Sequence, residues 1–221
     1  MRRFLTITAL VASSFFARSA SAQNLLSNGS FENPALSSTT QFTTILAGGT
    51  IGAWTVGAGG VDLIRTYWTP YTGSQSIDLN GNSPGSISQT IATTAGGRYT
   101  LTFALAGNPD NASNKVLNIL FGSQNLGNAT FIYNASQNTT NMGWTLVTFA
   151  NLIATGSSTT LTLSGVNAGA WGAAIDDVVL TQNVLPEPST VVLLLTGLLG
   201  TMVIIRRRAI ARAPLLSADA H

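Results

Sequence analysis

Between Gln23 and Leu185 the apolar residues fall into short runs that alternate with small polar residues, each run bounded by Gly, Asn, Ser or Pro. The clearest are Ser76-Ile77-Asp78-Leu79, Ser86 to Ile91, Tyr99 to Leu105, Val116 to Phe121, Trp144 to Phe149, Thr159 to Ser164 and Ala174 to Leu180. Period-two alternation puts one face of a strand on a core and the other in water, and threonine suits the wet face. Charged residues make up only 8% of the chain, too few to cover helices. The pattern predicts an all-β fold, an antiparallel β-sandwich over residues 23–183. Turn chemistry assigns Asn108-Pro109-Asp110-Asn111 and the Asn-rich stretch from Asn134 to Asn141 to loops.

There is no cysteine, so no disulfide supports the sandwich. A chain of ~150 residues buries roughly two-thirds of its unfolded surface, which is enough for one self-standing domain. The single histidine is the terminal His221. Nucleophiles that need an imidazole base and zinc sites built from Cys or His are therefore excluded.

Both ends read as targeting signals. Met1-Arg2-Arg3, the apolar Phe4 to Ala17 and the small-x-small Ala20-Ser21-Ala22 form a secretory signal peptide over residues 1–22. At the other end, Pro186-Glu187-Pro188 precedes an uncharged run from Ser189 to Ile205 and then Arg206-Arg207-Arg208, with a tail over 209–221. Seventeen uncharged residues lie at the short end of the ~17 to 25 that span a bilayer as a helix. The arginines would stay on the cytoplasmic side, which leaves the domain outside.

Tripeptide, span and arginines, over residues 184–208 and behind an N-terminal signal, resemble the PEP-CTERM sorting signal of Gram-negative, biofilm-forming bacteria. The resemblance implies a membrane-embedded exosortase as partner, a membrane-anchored precursor, and delivery to the cell surface or extracellular matrix.

Without these ends the charge changes sign. Gln23 to Leu185 keeps three basic residues, Arg65, Arg98 and Lys115, against six acids, Glu32, Asp62, Asp78, Asp110, Asp176 and Asp177, a net charge of −3. No basic patch exists to neutralise phosphates, so a nucleic-acid partner is excluded.

Asn24 to Glu32 at the start of the domain and Ile175 to Leu180 at its end are similar to the first and last strands of galactose-binding-like jelly rolls, which include many carbohydrate-binding modules. Val61-Asp62-Leu63-Ile64, Tyr67-Trp68, Ser76 to Gly81, Pro84 to Gln89 and Leu105 to Asp110 resemble the signature of exported jelly-roll domains found with several C-terminal anchors, the choice-of-anchor family. The resemblance implies a structural Ca²⁺ held by Glu32 with Asp176 or Asp177. Six to eight oxygen ligands suit that ion. The alternative reading has Glu32 capping a turn and the Asp pair facing solvent.

A glycan site would display aromatic rings to sugar C–H faces, with polar side chains bonding the hydroxyls. The best segment is Tyr67-Trp68-Thr69-Pro70-Tyr71, with Asp62, Asn80, Asn108 and Asp110 as companions. Trp171, Gln75 and Asp78 belong to the wider pool, and Trp54 and Trp144 read as core. Asp78, alternating with Ile77 and Leu79, is expected to face outward. The functional expectation is a non-catalytic, polysaccharide-binding surface protein; a purely structural or adhesive role is the alternative. A glycoside hydrolase needs two carboxylates ~5 to 9.5 Å apart. Only Asp62, Asp78 and Asp110 remain for that role, so no enzyme is expected.

Overall fold

The computed structural model describes residues 23–183, together with helical positions 194, 197–202 and 204–205. The expected signal peptide, the sorting residues Pro186, Glu187, Pro188, Arg206, Arg207 and Arg208, and the tail over 209–221 lie outside the described residues. Among the described residues, no helix is long and apolar enough to cross a membrane.

Among the described residues, twelve strands form two six-stranded antiparallel sheets. The first has the order β1 (Phe42–Ile45), β4 (Val61–Ile64), β5 (Ser76–Asp78), β12 (Ala173–Gln182), β7 (Arg98–Gly107) and β10 (Thr145–Ile153). The second has the order β2 (Thr50–Ile51), β3 (Trp54–Val56), β6 (Ser86–Ala92), β11 (Ser158–Gly165), β8 (Lys115–Phe121) and β9 (Gln124–Phe131). All seven runs read from the sequence fall on strands. In β8, Leu117, Ile119 and Phe121 are buried while Val116, Asn118 and Leu120 are half-buried, the expected alternation of a one-sided sheet.

Leu63, Ile77, Ile175 and Leu105 align across the first sheet and fill the core between the layers, with Trp54, Tyr99, Phe103 and Phe121. Every buried apolar residue described lies between Leu26 and Leu180, so the sandwich carries its own core. The opposite face of the first sheet presents Thr44, Asp62, Asp78, Ala174 and Ala106 in one register row. The next row holds Phe42, Ile64 and Ser76.

Asn24 to Glu32 is not a strand but an irregular segment pinned beside β12. The Leu25 and Val178 N–H groups donate to Leu180 and Gly29 carbonyls at 2.8 Å each, and Asn24 Oδ1 accepts from Leu180 N–H at 2.9 Å. Phe31 (φ +57°) and Asp177 (φ +48°) adopt the left-handed region there, which non-glycine residues enter at a cost.

Candidate functional site

The segment from Arg65 to Gln75 crosses the outer face of the first sheet as a strap. Trp68 is its anchor: only 3% exposed, it donates its indole N–H to Ser76 Oγ at 2.8 Å. The Asn-rich loop secures the strap from the far side, since Thr69 N–H donates to Thr139 O at 2.9 Å and Trp144 Nε1 to Thr69 O at 3.0 Å. Trp68 is therefore a packing residue, and the expectation of a freely displayed ring is corrected for it. Tyr71 is exposed but packs edge-on against Trp144, at a ring separation of 6.3 Å.

Two carboxylates hold the strap's end. Glu32 Oε1 accepts the N–H groups of Ser74 and Gln75 at 2.7 and 2.9 Å, and Asp176 Oδ2 accepts those of Tyr71 and Thr72 at 2.9 Å each. Asp176 Oδ1 takes Asp177 N–H at 2.6 Å. Asp176 is fully buried at the β12 bulge, which corrects the reading of a solvent-facing pair; Asp177 is half-buried. Burial pushes the Asp176 carboxyl up to about 7, against the N–H groups of Thr72, Asp177 and Tyr71 and with the neighbouring Asp177 charge.

Glu32 Oε1 and Asp176 Oδ2 each accept two backbone N–H groups and Asp176 Oδ1 one, so the two carboxylates anchor the strap, and an ion held by them would compete with those donors for their lone pairs.

At one end of the first sheet, the strap, the β7–β8 loop and the loop before β12 enclose a cavity of about 130 Å³. Its lining includes the rings of Phe42, Tyr67, Trp68 and Trp171 and the polar groups of Asp62, Asp78, Asn108 and Asp110. The structure thus brings together five of the seven residues proposed from the sequence and leaves out Tyr71 and Asn80. Phe42, Ile64 and Ala170 also line it and were not singled out. Trp171, 44% exposed, presents its ring at the rim, and Tyr67 packs edge-on to Phe42 at 5.7 Å while its hydroxyl donates to Asp110. That bond raises the Tyr67 hydroxyl above its ordinary range.

Asp78 is not an exposed outward residue. Although it leaves the sheet on the outer face, the loops bury it completely: Oδ1 accepts the N–H groups of Asn80 at 2.9 Å and Gly172 at 3.1 Å, and Oδ2 accepts Asn108 Nδ2 at 2.8 Å. Burial pushes its carboxyl up to about 7 despite these donors. Asp62, its cross-strand neighbour, is raised for the same reason, and its Oδ1 is buried without a hydrogen-bond partner.

Asn80 is a positioning residue, whose Nδ2 donates to the Asn167 and Gly169 carbonyls at 2.8 and 2.7 Å and so fixes the loop that carries Trp171. Gln75 holds the turn at Phe31 to Leu36 in the same way, donating to Phe31 O and Pro34 O and accepting from Leu36 N–H.

The two sheets with their loop-built cavity define an all-β antiparallel sandwich. The chain belongs to the family described as "Protein of unknown function (DUF642)", which matches residues 24–181. It is 35% identical over 188 residues to Halomucin of Haloquadratum walsbyi, covering 81% of this chain and only 2% of that protein's length.

Among solved structures, a Stig cyclase, Fisc, from Fischerella sp. TAU shares the fold with a TM-score of 0.51 at 15% identity, over 75% of this chain and 100% of that one. The CBM22-1 xylan-binding domain of Paenibacillus barcinonensis Xyn10C is similar at a TM-score of 0.48 and 19% identity, over 75% and 97%. TmCBM61, solved with β-1,4-galactotriose, is similar at 0.45 and 20%, over 73% and 100%.

Proposed function

We propose that the sandwich is a non-catalytic glycan-binding domain of an exported surface or matrix protein, and that it takes the end of a polysaccharide chain in the cavity beside Trp171. One observation carries this reading: aromatic rings and hydrogen-bonding side chains from separate loops converge on a single small opening. Apolar walls with a few convergent polar groups are the make-up of a small-molecule site.

Export rests on the sequence alone, through the signal peptide and the PEP-CTERM-like tail with its implied exosortase. A hydrolytic role is disfavoured by Asp78, whose two oxygens are engaged by three N–H donors and sealed from substrate.

Affinity electrophoresis of residues 23–183 in gels containing β-1,4-galactan, xylan or other polysaccharides tests the proposal. Retardation by one glycan class that Trp171→Ala abolishes supports it. Uniform mobility in every gel would favour the structural or adhesive reading, and release of reducing sugar would establish an enzyme instead.

A further inference from the structure

The cavity is lined by the acidic side chains of Asp62, Asp78 and Asp110 and by no basic one. Lys115, the basic residue whose charge reaches Asp78 and Asp110, is buried and spends its ammonium on Asn111 Oδ1 at 3.1 Å and Ser113 Oγ at 3.0 Å, with no carboxylate in its hydrogen bonds. Repulsion between these acids is written into the site: Asp62 acts on Asp78 across the β4–β5 pair.

A second observation points the same way. Asp62 Oδ1 is a buried acceptor with no donor, a condition that costs free energy until something supplies a proton to share. A sugar hydroxyl would donate one hydrogen bond but leave the charge. A protonated amine would donate and neutralise together, and charge-assisted bonds of that type are the stronger class. The rings at the opening add to this, because a cation held near the face of Trp or Tyr is attracted by the ring quadrupole. Tyr67 and Trp171 flank the opening. A uronate or sulfated sugar would instead bring its own negative charge beside Asp62 and Asp110.

We infer that the glycan recognised here is an amino sugar polymer, its terminal unit bearing a protonated amine that sits by Asp62 and Asp110 against Tyr67 and Trp171, and that acidic glycans are rejected. This rests on reading the cavity as a glycan site.

The test is calorimetric titration of residues 23–183, in chelator to remove divalent cations, at a mildly acidic pH that keeps the amine charged. The probes are β-1,4-glucosamine oligomers, their N-acetylated counterparts and oligogalacturonate. Glucosamine oligomers are expected to bind roughly tenfold or more tightly than the N-acetylated ones, the size of one charged hydrogen bond, and oligogalacturonate not at all.

Asp62→Asn should remove most of that preference, bringing the affinities for the amino and N-acetylated oligomers close together. Asp177→Asn, outside the cavity, should leave the preference intact and so exclude general attraction to an acidic domain. Retained melting cooperativity shows that each variant folds. Equal affinity for the amino and N-acetylated oligomers, or binding of oligogalacturonate, overturns this inference and leaves the glycan-site reading standing. Failure of every glycan, with Trp171→Ala without effect, overturns both.

Discussion

The indole of Trp68 and the hydroxyl of Ser76 are joined at 2.8 Å on the outer face of the first sheet, beneath a strap whose other aromatic residues remain reachable. This bond separates residues that hold the cavity's wall in place from residues that can meet a ligand. Tyr67, next to Trp68 in sequence, is half-buried at the cavity, whereas Trp68 is sealed. Replacing Trp68 by Ala should destabilise the domain by about 3 to 5 kcal/mol, the range for deleting a buried large aromatic. Trp68→Phe should cost less, about 1 kcal/mol for the lost hydrogen bond plus the unfilled edge of the ring. Urea melts of the three proteins check the order. A Trp68→Ala domain as stable as the parent would show that the strap is not anchored there.

The strap's lower end is held by carboxylates acting as acceptors, and this sets an expectation about metal. Glu32→Ala removes the partner of two backbone N–H groups and should cost about 1 to 3 kcal/mol, whereas Glu32→Gln retains a carbonyl-type oxygen and should stay close to the parent. Because three of the four Glu32 and Asp176 oxygens are already bonded to N–H donors, the melting midpoint should be the same in millimolar Ca²⁺ as in chelator. Ligands of the native state raise the midpoint by mass action, so a Ca²⁺-dependent rise would show that the carboxylates turn toward an ion.

Burial raises the carboxyls of both Asp78 and Asp176 to about 7, from an ordinary value of 3.8. Between those limits the folded protein retains protons that the unfolded chain has released. The unfolded state then binds fewer protons than the native state, so stability falls as pH rises through this window and levels off above about 7. The midpoint should therefore be higher at pH 5 than at pH 8. Asp78→Asn, which cannot ionise, should flatten part of that slope. A midpoint that climbs from pH 5 to pH 8 would mean that the two carboxylates are stabilised as anions in the native protein.

Much of the sandwich is legible because a strand with one wet face writes its own pattern. Tyr99 to Phe103 and Thr159 to Ser164 alternate cleanly, and both fall on strands. The edge strand β9 does not alternate: Gly127 at φ +89°, Asn125 and Asn128 sit where its pairing with β8 shifts register, and solvent on its free edge removes the need for alternation. Strands β2 and β3 hold only two and three residues, too few to show a period.

At the cavity, Asp62, Asn108, Asp110 and Tyr67 stand out by residue type. Their meeting with Trp171, 61 to 109 positions further along the chain, depends on β12 pairing with both β5 and β7, which local sequence does not encode. The burial of Trp68 is equally hidden, because nothing in Tyr67-Trp68-Thr69-Pro70-Tyr71 shows which ring the sheet will take.

Gly172 offers the sharpest test of the cavity's construction. It lies beside Trp171 where the loop enters β12, donates its N–H to Asp78 Oδ1 at 3.1 Å, and accepts Asn108 N–H at 3.0 Å through its carbonyl. A Cβ at this position would collide with both Asp78 Oδ1 and Asn80 Oδ1, each held in place by its own hydrogen bonds or those of its amide. The loop can yield only by breaking the Asp78 contact or by releasing Asn80, and either route moves Trp171.

Gly172→Ala should therefore cost about 1 to 3 kcal/mol, as for overpacking a filled interior, and should also abolish glycan retardation in gels. Gly96→Ala provides the comparison: its Cβ would meet no atom within 4 Å, so only the strain of a positive φ (+75°) remains. That variant should lose stability without losing binding. If Gly172→Ala retained full binding, the placement of Trp171 by the Asp78, Asn80 and Gly172 cluster would be refuted, and the cavity's ligand would have to be sought elsewhere on the sandwich.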